Sequence, residues 1–283
     1  MLECRMTYRW TLLRAGAFRL DGGSMFGVVP KALWARLSPP DDENRIPLQT
    51  NCLLLEGGGR RVLVETGYGS KWGEKDRAIF GMEPRSVLDA LAEAGVDRGD
   101  IDAVIVTHLH FDHAGGLTHL DEEGQPVPSF PNAEVIVQRQ EWEDALANRS
   151  TMTRTYLRSH LDPVAAQLRL VEGDLEVLPG IRVWPMVGHT FGQQAVRFQD
   201  EAGTVCFPGD VMPTVKHLGA AYNMAYDILP YTNIQSKAAL LGRAAAEGWR
   251  LVIDHEPLWP VVSVAPAEKP GQWRLEGVGG DLG

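Results

Sequence analysis

The apolar run Ala103-Val104-Ile105-Val106 leads directly into Thr107-His108-Leu109-His110-Phe111-Asp112-His113-Ala114-Gly115-Gly116. Such a run of strand-forming residues has to be covered on both faces, so it predicts a strand inside a layered fold. The strand stops at Thr107, and four side chains of metal-ligand type follow within six residues. In extended chain His108 and His110 project from one face, and a turn after them lets Asp112 and His113 face a second point nearby. One loop can then serve two adjacent cations. Neutral imidazole and carboxylate suit zinc and similar first-row ions. Four of the eight histidines lie within residues 108 to 119, too concentrated for a loop that merely happens to carry histidine.

Around this segment the pattern is that of an α/β chain. Residues 50 to 57 and 60 to 67 read as a hairpin around Gly57, Gly58 and Gly59, because tight turns need positive φ. In residues 84 to 95, Ser86 and Asp89 form a capping pair, Val87, Leu88, Leu91 and Ala92 share a face, and Gly95 ends the helix. Further strands are expected over 133 to 138, 168 to 173, 181 to 188, 194 to 200, 204 to 210 and 250 to 257, and a helix over 235 to 249. Strands mixed with helices predict sheets covered outside by helices. One domain over 1 to 283 is expected, with 1 to 45 a lid or packing segment and 263 to 283 a loosely packed tail.

Three more ligand-type residues stand at strand ends: His189 in GHT, Asp210 in PGD and His255 in DH. Singly each is weak; as an ordered set, THLHFDHAGG, GHT, PGD and DH resemble the metallo-β-lactamase superfamily over roughly residues 45 to 260. The resemblance implies a four-layer αβ/βα sandwich. It also implies that His108, His110 and His189 bind one metal and Asp112, His113 and His255 the other, with Asp210 bridging. Glu65-Thr66-Gly67 resembles the family's early Asp-Thr-Gly element.

Two divalent ions about 3.5–4 Å apart share a hydroxide and polarise the bond under attack. The expected cofactors are therefore two divalent ions, zinc foremost, with manganese, iron or cobalt as alternatives. The expected activity is attack of the bridging hydroxide on a small ester, lactone or related substrate. Phosphotriester or phosphodiester hydrolysis is the alternative, and a scaffold that has lost catalysis the third reading. Asp112 is the catalytic candidate, relaying a proton as the resemblance suggests. His110 stands where the family's redox-active di-iron members carry a carboxylate, which favours hydrolysis. The family's homoserine lactonases place a tyrosine shortly after the bridging aspartate, whereas this chain reads Asp210-Val211-Met212-Pro213, which counts against that particular activity. Tyr222, Tyr226 and His217 are the substrate-binding candidates, with Tyr231 nearby; packing or surface roles are the plain alternatives, and His119 and His160 read as structural or exposed.

With 27 Lys and Arg against 37 Asp and Glu, the formal charge is −10 and nothing basic offsets it locally. That disfavours nucleic acid as a partner. No stretch of 18 apolar residues suggests a membrane span, and the start lacks a signal-peptide run, so a cytoplasmic setting is expected. Cys4, Cys52 and Cys206 read as small buried hydrophobes. A small-molecule substrate is the expected partner, with a homodimer left open.

Overall fold

The computed structural model describes residues 6–269 and 271–277. Cys4 lies outside them. Two sheets face one another. The first is built from β1 (Arg9–Asp21), β2 (Arg45–Gly57), β3 (Arg60–Val64) and β4 (Ala103–Ile105); after a small hairpin of β5 (Thr118–Leu120) and β6 (Pro126–Pro128) it continues with β7 (Glu134–Gln138) and β8 (Leu168–Val171). Its order is β1-β2-β3-β4-β7-β8. The second contains β9 (Leu175–Leu178), β10 (Ile181–Pro185), β11 (Gln194–Asp200), β12 (Gly203–Phe207), β13 (Arg250–Val252), β14 (Val261–Pro266) and β15 (Trp273–Glu276), in the spatial order β15-β14-β13-β12-β11-β10-β9.

The alternation of side chains explains why the strands read as continuous apolar runs. On β2, Leu53 and Leu55 face the second sheet, while Cys52 and Leu54 face outward. On β4, Ala103 and Ile105 join the core between the sheets, and Val104 points to the outer layer. The helices are α1 (Gly22–Phe26), α2 (Lys31–Leu37), α3 (Glu74–Phe80), α4 (Val87–Glu93), α5 (Phe111–Ala114), α6 (Arg139–Leu146), α7 (Arg158–Leu161) and α8 (Pro230–Glu247). Val87, Ala90 and Leu91 of α4, Ala145 of α6 and Leu161 of α7 cover the outside of the first sheet. Leu240, Leu241 and Ala244 of α8 cover the second. The order helix, sheet, sheet, helix is the expected αβ/βα sandwich.

The hairpin turns at Gly58 and Gly59, with φ of 59° and 75°, and Asp89 accepts from the Ser86 amide at 2.7 Å as the cap. Helix α8 begins five residues before the expected 235, at Pro230, whose fixed φ suits a first helical turn. The two chain ends differ more. The segment read as lid or packing contains β1, paired antiparallel along β2 with a bulge between Arg14 and Ala17. Gly16 at φ 136° inside that bulge interrupts the period-two pattern that marks a strand. Of the tail expected to be loosely packed from 263 to 283, Ser263 to Pro266 lie in β14, Trp273 to Glu276 form β15, and Trp273 and Leu275 pack against the α8 core, while residues 270 and 278 to 283 lie outside the described residues. Gly and charge concealed the alternation of two short strands, of which β15 closes the edge of the sheet. Among the described residues no helix is long and apolar enough to cross a membrane.

Candidate metal centre

The loops after β3, β4, β10, β12 and β13 meet at one rim of the sandwich, where crossover folds place their functional groups. His108, His110 and His189 come together there, as do His113, Asp210, Asp254 and His255; within each group one ligand atom per residue lies within 4.8 Å of the others. His110 Nδ1 is 3.1 Å from His108 Nε2 and 2.9 Å from His189 Nε2. Asp210 stands between the two groups. Its Oδ2 is 3.2 Å from His189 Nε2 and 3.7 Å from His113 Nε2, and its Oδ1 is 3.2 Å from His255 Nε2. Asp112 completes the second group, with Oδ2 3.6 Å from His255 Nε2 and Oδ1 3.8 Å from His113 Nε2. All seven residues expected at the centre are thus in one place.

Neighbouring groups turn the ring nitrogens toward the centre. Asp227 Oδ1 faces His189 Nδ1 at 2.9 Å, and the Gln49 carbonyl faces His255 Nδ1 at 2.9 Å. Both partners accept, so each Nδ1 donates and each Nε2 is left pointing inward. Asp254 Oδ2 and Glu65 Oε2 lie 3.0 and 3.3 Å from His113 Nδ1, which turns His113 Nε2 to the centre. Asp254 therefore belongs to the back of His113 rather than to the inward-facing set. Glu65 adopts a left-handed φ of 67°, a costly conformation for a non-glycine residue. That conformation carries its carboxylate back to the Thr107 amide at 2.6 Å.

The residues fit a pair of cations. His113 Nε2, Asp210 Oδ1 and His255 Nε2 are buried without hydrogen-bond partners. Burial, then the neighbouring imidazoles, holds His108 and His110 well below the usual histidine range, in the neutral form that binds metal. Burial acts to lower His255 as well, but Asp254, Asp210 and Asp112 outweigh it and raise the ring to about 10. Burial pushes Asp254 up to about 6. Carboxylates packed this closely in a dry site need positive charge beside them, and two dications provide it.

A cavity of about 420 Å³ opens beside Asp112, Asp210 and His255. Leu20, Met25, Phe80, Phe111, Met152 and Met224 give it apolar walls, and residues 151 to 155 form one side. Leu20 and Met25 bring the N-terminal segment into that wall. Of the substrate-binding candidates only Tyr226 lines this cavity. Tyr222 packs edge-on against Phe26, and His217 stacks on Phe26 at 4.8 Å with its Nε2 bonded to the Met25 carbonyl. Neither lines this cavity: both pack against Phe26 of α1, and the two ring nitrogens of His217 are already occupied by the Met25 carbonyl and the Thr214 hydroxyl. Tyr231 is exposed.

Sequence reasoning missed Asp227 and Glu141. Buried Glu141 accepts from the Leu109 amide at 2.9 Å, the Tyr156 hydroxyl at 3.1 Å and the Thr190 hydroxyl at 2.6 Å, tying together the loops that carry His108, His110 and His189.

Two histidine clusters joined through a shared aspartate and opening on a cavity define a dinuclear metal-dependent hydrolase. The chain belongs to the metallo-beta-lactamase superfamily, whose family model matches residues 45–255. It is 29% identical over 200 residues to an N-acyl homoserine lactonase of Bacillus thuringiensis, covering 67% of this chain and 71% of that one. A probable metal-dependent hydrolase from Staphylococcus aureus superposes with a TM-score of 0.84 at 30% identity, over 92% of this chain and 93% of the other. AidC, a dizinc quorum-quenching lactonase, shares the fold with a TM-score of 0.77 at 17% identity, over 97% and 99% of the two chains.

Proposed function

We propose that the chain hydrolyses small lactones and related carboxylic esters bearing an apolar substituent, at a two-zinc centre. His108, His110 and His189 would hold one ion, Asp112, His113 and His255 the other, and Asp210 would serve both. The observation that carries this reading is the position of the Asp210 carboxylate, with Oδ2 at 3.2 Å from His189 and Oδ1 at 3.2 Å from His255. Five imidazoles against two carboxylates favour zinc over harder ions. When bound, the metal pair supplies an activated water and a Lewis acid for the substrate oxygen.

The chain's own residues do the rest. Apolar walls take the substituent and exclude water from the reacting groups. Asp112 lines the cavity and would hold the proton that the leaving alkoxide takes up. Burial raises the Tyr226 phenol to about 12, so it stays protonated at neutral pH and can donate to a carbonyl or leaving oxygen. Lactonases related to this chain support the lactone reading, and Tyr226, further along the segment that follows Asp210, would supply the phenol that the sequence lacks directly beside it. Free buried Cys52 and Cys206 support a reducing, cytoplasmic setting.

The test is metal analysis together with a panel of lactones, aryl esters and phosphotriesters. The expected result is about two zinc ions per chain, fastest turnover on lactones, loss of activity in His110→Ala, and a roughly tenfold lower kcat/KM in Tyr226→Phe. Phosphotriesters turned over faster than any lactone or ester, or an inert metal-free protein, would overturn it.

A further inference from the structure

Lys237 sits in the middle of α8, only 1% exposed. A buried ammonium is costly unless each of its three protons has an acceptor. Here four acceptors converge on Nζ: the carbonyls of His217 at 2.9 Å, Gly219 at 3.0 Å and Tyr222 at 2.8 Å, and Asn223 Oδ1 at 3.2 Å. All belong to the segment between Asp210 and α8, which contributes no strand to either sheet. Backbone carbonyls repel one another when they point at one spot, so this convergence requires the cation. Burial pulls the Lys237 pKa down to about 8, with Asp227 the charge that resists.

The same segment carries two cavity walls and one support of the centre. Met224 and Tyr226 line the cavity, and Asp227 holds His189 Nδ1. Asn233, one turn before Lys237 on the same face of α8, donates to Asp227 Oδ2 at 3.0 Å and to Asn223 Oδ1 at 3.4 Å. The helix thus grips both ends of a short stretch, 222 to 227, whose middle faces the substrate.

We infer that Lys237 is a positioning residue: its ammonium gathers the carbonyls of His217, Gly219 and Tyr222 and the Asn223 side chain, fixing the loop in which Met224 and Tyr226 wall the cavity and Asp227 orients His189. It touches neither substrate nor metal. The link to substrate rests on reading the cavity as the substrate site, whereas the link to His189 does not.

The test uses the full-length chain with Lys237→Met, which keeps the apolar stem and removes all three donors. In the metal-free protein, amide hydrogen exchange over 217 to 229 is expected to quicken at least about tenfold while β2 and β11 stay protected. Zinc affinity by chelator competition is expected to fall about tenfold or more, the usual scale for losing the support behind a metal-binding histidine. At saturating zinc, KM is expected to rise about tenfold with kcat altered less than about threefold, since uniform binding is lost first. Exchange and zinc affinity are read without substrate, so a failure of the lactone reading leaves them unaffected. Should Lys237→Met not fold, Lys237→Gln, which keeps one donor group on the same helix face, carries the same measurements. A folded variant whose loop exchange and zinc affinity both stay within twofold of the parent overturns the inference, as does a loss confined to global stability.

Discussion

Glu141 shows how much of the centre depends on residues that bind nothing themselves. Its two oxygens accept three donors, one of them the amide between His108 and His110 and another the hydroxyl beside His189. Burial raises its pKa, and the Thr190, Leu109 and Tyr156 donors oppose that rise. In Glu141→Leu the buried Leu109 amide and the Tyr156 and Thr190 hydroxyls all lose their acceptor. The expected cost is about 1–3 kcal/mol of stability for the buried donors left unpaired and about a tenfold loss of metal affinity as the histidine loops loosen. Chelator competition and urea unfolding check both, and an unchanged metal affinity would show that the loops hold without it. The seven inward-facing residues were legible in the sequence because each is a ligand type at the end of an apolar run. Glu141 and Asp227 were not, because glutamate on a helix and aspartate in a loop are ordinary. Their partners lie 32 and 38 positions away, and only the fold brings them together.

At the scale of elements, the glycines after the histidine loop mark a crossing of two chain segments. A Cβ on Gly115 would lie 2.1 Å from the Tyr68 carbonyl oxygen, and one on Gly116 would lie 2.2 Å from the Thr66 carbonyl oxygen. The turn following β3 therefore rests directly on the end of α5, and Thr66 Oγ1 donates to the His113 carbonyl at 2.6 Å. Gly115→Ala forces two backbones apart at the point that sets His113, with an expected loss of about 3 kcal/mol. Urea unfolding with an unchanged midpoint would contradict that. Of the elements themselves, the buried strands and α4 were readable from their periodicity and caps. Strand β1 was hidden by its glycine bulge, and β14 and β15 by the glycine and charge around them; pairing of β1 with β2, and of β14 with β13 and β15, stabilises all three, which no pattern within a single segment records.

Across the whole molecule, two histidines outside the centre report on the cooperativity of the sandwich. His160 lies on the first sheet's side beside Trp72, and His217 lies near α1 against Phe26. Burial lowers each to about 3, whereas an unfolded histidine takes a proton near 6.5. Between about pH 6.5 and 3 the unfolded chain binds protons that the native one refuses, so stability is complete above that window and falls as the pH drops through it. The slope is up to about 1.4 kcal/mol per pH unit for each residue. With chelator present throughout, so that metal release does not enter, the double variant His160→Asn/His217→Asn is expected to lose stability overall yet to show a shallower acid dependence, by close to two protons. Equal slopes in parent and variant would mean that these rings are protonated in the native state. The single variants then separate two kinds of molecule. If the layers unfold together, each removes about one proton from the same transition; if the side bearing His160 opens before the side bearing His217, the single variants act on different transitions at different pH. The continuous core between the sheets, with Leu53, Ile105 and Ile136 packed in one cluster with Val183, Phe198 and Val252, favours the single transition, because neither sheet can leave without exposing the face of the other.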